Sequence, residues 1–75
     1  MNPNLLKAKV IAKGFSMQQF ISKINEKSHY MSSGTFYKKL NGTSEFTRKD
    51  IDRIQKILGL SAKDVETIFF ASTVS

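Results

Sequence analysis

The chain has 75 residues, no cysteine and a formal net charge of +6. That length gives a single domain over 1–75 with no room for a second core, and the lack of cysteine excludes a disulfide framework or a thiolate metal site. No apolar run reaches the length of a membrane span, and the N-terminus lacks the charged-then-apolar order of a signal peptide, so a cytoplasmic protein that touches no membrane is expected.

The dominant period is helical. Leu6 and Val10 stand four apart with Ile11 beside them, which predicts a first helix over about 4–13, stopped at Gly14. Ser16-Met17-Gln18-Gln19 fits a capping box, and Phe20, Ile21 and Ile24 give the second helix its apolar stripe, fading near Asn25. Residues 26–31 show no clean period and read as a loop that holds Tyr30 or Met31 against the core.

Ser32 is the expected cap of a third helix, with Phe36 and Leu40 facing inward and Asn41-Gly42 as the stop. Phe46 follows as a staple residue. Thr47-Arg48-Lys49-Asp50 is a capping box with Asp for Glu. Ile51, Ile54, Ile57 and Leu58 line the fourth helix, which ends at Gly59. Ser61-Ala62-Lys63-Asp64 repeats the cap, and Val65, Ile68 and Phe69 line a short fifth helix. The expected architecture is all-α, a compact bundle of five helices, with a short tail at 71–75 that is free or paired with a partner.

The charge is uneven. Residues 1–49 hold nine Lys/Arg against two acids, and residues 50–75 hold three against four. A positive first two thirds is what phosphate attraction requires. Catalytic groupings are absent by inspection. Asp50 and Asp52 are two apart on a helix and do not face each other, and His29 has no second His or Cys to share a metal. No enzyme, cofactor or metal is expected.

Several features occur in a definite order. They are Gly14-Phe15-Ser16 before the second helix, Phe20 within it, Ser32-x-x-Thr35-Phe36 opening the third, and Leu40-Asn41-Gly42 closing it. Phe46-Thr47, then Ile51-x-x-Ile54-x-x-Ile57-Leu58-Gly59-Leu60, and finally Ile68-Phe69-Phe70 complete the set. Over roughly residues 5–70 this resembles the Cro/repressor-type (XRE-like) helix-turn-helix regulators of temperate phages and bacteria. Two departures stand out: Met17 occupies the place where the family usually has Gln, and the link between the second and third helices is longer than the family's short turn.

The resemblance implies a lambda repressor-like DNA-binding domain in a bacterial host cell, with operator DNA as partner and a homodimer to read paired half-sites. The helix over 32–41 would enter the major groove. Ser32 would cap it near a phosphate, Gly34 would permit close approach, and Ser33, Tyr37 and Lys38 would face base edges. Gln18, Lys39, Asn41, Thr43 and Ser44 would contact phosphate and sugar, with Lys9, Lys13 and Arg48 adding longer-range attraction. Ile68, Phe69, Phe70 and Val74 are dimer-face candidates, with core filling an equal alternative for Ile68 and Phe69. Small phage proteins of this look also include antirepressors, which bind a phage repressor and occlude its DNA-reading surface. On that reading Met17, Tyr30, Met31 and Tyr37 would be contact residues, although core filling is the default for Met17 and Met31.

Overall fold

The computed structural model describes residues 1–70, so the expectations for the 71–75 tail and for Val74 fall outside the described residues. Within them the chain is all-helical: α1 (Pro3–Ala12), α2 (Met17–Ile24), α3 (Ser33–Leu40), α4 (Arg48–Leu58) and α5 (Ala62–Val65), with α5 running on into a π-helical segment, Glu66–Phe70. Each start has a side-chain cap. The Asn2 side chain accepts from Leu5 N–H, and Pro3 sits where its missing N–H costs nothing. Reciprocal capping boxes join Ser16 with Gln19, Thr47 with Asp50 and Ser61 with Asp64. Ser32 caps α3 through Thr35 N–H, at 3.1 Å.

Two glycines end helices in conformations that L side chains resist. Gly59, after α4, has φ +65°, and Gly42, after α3, has φ +88°. Past Gly59 the chain turns at once into the next cap. Leu60 N–H donates to Gln55 O at 3.1 Å, and the Gln55 side chain donates back to Leu60 O at 3.2 Å. At the far end the Asn2 N–H donates to Ile68 O at 2.7 Å, which fastens the N-terminus to the π-helical segment.

The core is an unbroken path of rings. Phe15 lies 6.3 Å from Phe20, Phe20 stands edge-on to Phe36 at 5.8 Å, Phe36 to Phe46 at 5.8 Å, and Phe46 to Phe69 at 5.7 Å. This path crosses α2, α3, the loop before α4 and the C-terminal segment. Each such pair adds about 0.5–1.5 kcal/mol beyond the area it buries. Leu6, Val10, Leu40, Ile54 and Ile68 close around it, each at most 1% exposed.

Three expectations change. Ile68 is fully buried, which removes it from any dimer face, while Phe70 is 56% exposed. Ile11, placed beside the inward pair on α1, is 67% exposed, because the buried stripe of α1 consists of Leu6 and Val10. The last helix widens to π geometry over Glu66–Phe70, where a plain short α-helix was expected.

Phe36 sits at the centre of the ring path, and its loss tests the packing. Phe36→Ala removes the edge-on contacts to Phe20, Tyr37 and Phe46 and leaves a cavity, at a cost of about 3–5 kcal/mol. A chain of this length has a total stability of only about 4–11 kcal/mol. Urea denaturation of the variant is expected to show a transition shifted far toward zero urea; a loss under about 1 kcal/mol would refute the central role of Phe36.

Candidate functional site

On α3 the inward positions are Phe36 and Leu40, both buried; Gly34 and Lys38 lie opposite them, and Ser33, Thr35 and Tyr37 lie to the sides, all five exposed. Tyr37 is 38% exposed and rests its ring edge-on against Phe36 at 5.8 Å, so one part of it is anchored and the rest projects. The Ser32 hydroxyl is used within the protein: it accepts from Thr35 N–H and donates to Thr35 Oγ1 at 2.9 Å. Asn41, Thr43 and Ser44 are exposed at the other end of the helix. The N–H groups of Thr43 and Ser44 both donate to Lys38 O, at 2.9 and 3.2 Å, which folds that turn back over the end of α3 and leaves the two side chains outward. Gln18 is exposed at the start of α2, while its neighbour Gln19 is engaged in the capping box.

Gly34 has no internal reason to be glycine. Its φ is not positive, and a Cβ built there would meet nothing within 4 Å. Within a helix, glycine is about 0.8–1.0 kcal/mol less favourable than alanine.

Four of the expected contact residues are not displayed in this way. Lys39 turns inward; its side chain is 15% exposed and its ammonium donates to the Asp50 carboxylate. It lies beside the Phe36–Leu40 face, and the buried Asp50 requires a counter-charge. Tyr30 is half-buried, its hydroxyl donating to Asp50 at 2.6 Å and its ring covered by the Arg53 guanidinium 4.0 Å from the centroid. Met31 is buried, 6% exposed, and Met17 is half-buried against the core. Of the residues expected to grip a protein partner, Tyr37 alone is exposed.

Two polar residues whose long-range partners the sequence pattern did not give hold this arrangement. Asn25 uses its whole amide. Its Nδ2 donates to Ile21 O at 2.9 Å and Met31 O at 2.8 Å, and its Oδ1 accepts from the N–H groups of Tyr30 at 2.6 Å and Met31 at 2.8 Å. One side chain thereby fixes the long link between α2 and α3. Asp50, expected only as a cap, is 4% exposed and also accepts from Thr47 N–H at 2.9 Å. Its position three residues after a capping Thr was visible in the sequence, but its partners on α3 and in the link were not.

Burial pushes the Asp50 carboxyl upward, but the hydrogen bonds from Lys39, Tyr30 and Thr47 N–H outweigh it and hold the group below its ordinary 3.8. Burial raises the Tyr30 phenol above 10.0, and its bond to anionic Asp50 adds to the rise. No protein-family model, no curated protein and no solved structure matches the chain. No helix among the described residues is long and apolar enough to cross a membrane.

A carboxyl with a depressed folded pKa stabilises the fold above its unfolded pKa, and that contribution disappears as pH falls through the folded value. The Asp50 contribution is therefore present at neutral pH and lost in acid below about 3.8. Asp50→Asn is expected to cost about 3 kcal/mol at pH 7, the low end for a broken buried pair, because Lys39 keeps some access to water. As pH falls below 3.8 and through the depressed folded value, the difference between variant and parent should shrink, since both then carry a neutral group. A constant difference in denaturation midpoints from pH 7 to pH 2 would refute this assignment.

Proposed function

We propose that the protein is a helix-turn-helix regulator of transcription in which α3 enters the major groove of operator DNA. The observation that carries the reading is Gly34, a glycine at an exposed helical position where the fold needs none, flanked by Ser33, Tyr37 and Lys38. A glycine of that kind lets a partner's surface come close to the backbone. Lys38 is suited to guanine O6 and N7, Ser33 is an adaptable donor and acceptor, and Gln18, Asn41, Thr43 and Ser44 are placed at helix ends where phosphate and sugar contacts fall. The basic first two thirds of the chain supply long-range attraction.

A second reading uses the same face on a protein, with a phage repressor as partner whose DNA-reading surface is then occluded. Tyr37 favours it. An anchored aromatic that projects from a small polar helix is the kind of group that dominates protein interfaces. With Lys39 turned inward, Lys38 is also the one exposed cation on α3, which is a light charge for a helix facing phosphates.

Anisotropy titration of operator-region DNA over a range of salt separates the two. Under the first reading binding weakens steeply with salt, and Lys38→Ala reduces the slope, costs about 1–3 kcal/mol and relaxes the choice of base. Gly34→Ala should stabilise the fold by up to ~1 kcal/mol and weaken DNA binding by about 1 kcal/mol or more, the scale of one lost contact. If DNA is ignored at low salt while a repressor from the same genome is retained, the first reading fails and the second stands. A Gly34→Ala variant that binds both targets as well as the parent would remove the shared surface from both.

A further inference from the structure

Between the end of α2 and the outer side of α4 runs an open groove of about 500 Å³, lined by Lys23, Lys27, Lys49, Arg53 and Lys56 together with Glu26 and Asp52. The two acids are already engaged. Glu26 accepts from Lys23 at 3.0 Å, and Asp52 lies 3.4 Å from Arg48. Among the described residues Lys27, Lys49, Lys56 and Arg53 have no carboxylate within 4.0 Å. Arg53 differs from the lysines in being held in place. It lies over the Tyr30 ring and donates from one terminal nitrogen to Ile24 O at 3.3 Å, which leaves the rest of its fork unclaimed by any carboxylate. A fixed guanidinium beside three free ammonium groups is a phosphate-binding combination.

The groove and α3 are joined through the chain. Lys27, on its wall, belongs to the link that leads to Ser32 at the start of α3. Tyr30, which holds Arg53, stands two residues before that cap.

We infer that this groove is a second DNA contact, taking the sugar–phosphate backbone that flanks the segment read by α3. The inference rests on the DNA-binding reading and extends its footprint across the link onto α4. The contact carries no base information: it adds affinity and salt dependence for any sequence, while α3 supplies the choice of site. An acidic segment of a partner protein is the competing occupant. Four cations without a carboxylate partner along one groove match a repeating phosphate backbone, and the duplex proposed for α3 is the polyanion already at hand.

The test compares two double variants of equal net charge. Lys27→Gln/Lys56→Gln removes one cation from each wall, and Lys7→Gln/Lys63→Gln removes two exposed cations elsewhere. Both sets are surface changes that leave stability within about 0.5 kcal/mol, which thermal melts check. Binding is measured by anisotropy on a mixed-sequence duplex and on operator-region DNA, from low to moderate salt. The groove pair is expected to lower the slope of log K against log salt by about 1.8 on both duplexes, and the control pair by well under one. Equal slopes for the two pairs would mean that net charge alone matters and would overturn the inference while leaving DNA binding intact. A parent protein that binds neither duplex at low salt would overturn the functional reading and this inference together. A polyglutamate peptide held more tightly than duplex, and released by the groove pair, would assign the groove to an acidic protein segment instead.

Discussion

One buried carboxylate organises the packing of α3, α4 and the link before α3. Asp50 takes a hydrogen bond from Tyr30 in the link, an ion pair from Lys39 on α3 and a backbone N–H from Thr47 at the start of its own helix. Three separately folded pieces meet at two oxygen atoms. A lone buried carboxylate would be costly, and each partner offsets part of that cost. The geometry also fixes how α3 is rolled. With Lys39 drawn down to Asp50 and Phe36 and Leu40 in the core, the remaining positions have only one side left. Ser33, Gly34, Thr35, Tyr37 and Lys38 are the exposed positions of α3, and Lys39 is not among them.

Orientation along the other axis comes from Asn25 and the aromatic path. The link between α2 and α3 is long enough to have many conformations. Asn25 closes it by bonding to Ile21 behind and to Tyr30 and Met31 ahead, so the polar backbone of a partly buried turn is satisfied by one amide. Met31 then drops into the core, and Tyr30 is left against Asp50 and Arg53. The rings from Phe15 to Phe69 fasten α2 and α3 to the same interior. The angle between the two helices is therefore set by packing and by one clamp, where a tight turn would set it by backbone geometry alone.

How much of this was legible depends on the range of the interaction. The caps at Ser16, Ser32, Thr47 and Ser61, and the stops at Gly42 and Gly59, are local signals, and the structure places helix ends at each of them. The i, i+4 spacing of Phe36 and Leu40 correctly told the inner side of α3 from the outer. Periodicity assigns a residue to a side of its helix, but it does not say whether a long side chain at the margin reaches out or in. Lys39 sits at such a margin, and its direction is decided by Asp50, eleven residues away in sequence. Tyr30 is decided by the other oxygen of the same carboxylate, across twenty residues. Asn25 carried no pattern at all, because a clamp on an aperiodic loop has no period to reveal it. The π widening after Val65 likewise has no counterpart in the apolar spacing.

These long-range pairings change what the net charge means. A value of +6 suggests a uniformly attractive surface, but several of the cations are occupied: Lys39 by Asp50, Lys9 by Asp64, Lys23 by Glu26 and Arg48 by Asp52. The Lys39 pair is shielded from solvent and persists at any ordinary salt concentration, whereas the exposed pairs contribute little to stability and are readily exchanged. An approaching polyanion can compete for Lys23 or Arg48 more readily than for Lys39, whose side chain is 15% exposed and paired with a buried carboxylate. The cations left without a carboxylate partner among the described residues are thus a subset chosen by the fold: Lys38 on α3, Lys27, Lys49, Lys56 and Arg53 along the groove between α2 and α4, and Lys7, Lys13 and Lys63 elsewhere. A basic composition becomes a located surface only after the protein's own carboxylates have taken their share, and in this chain the share taken by Asp50 decides which side of α3 is left to meet a partner.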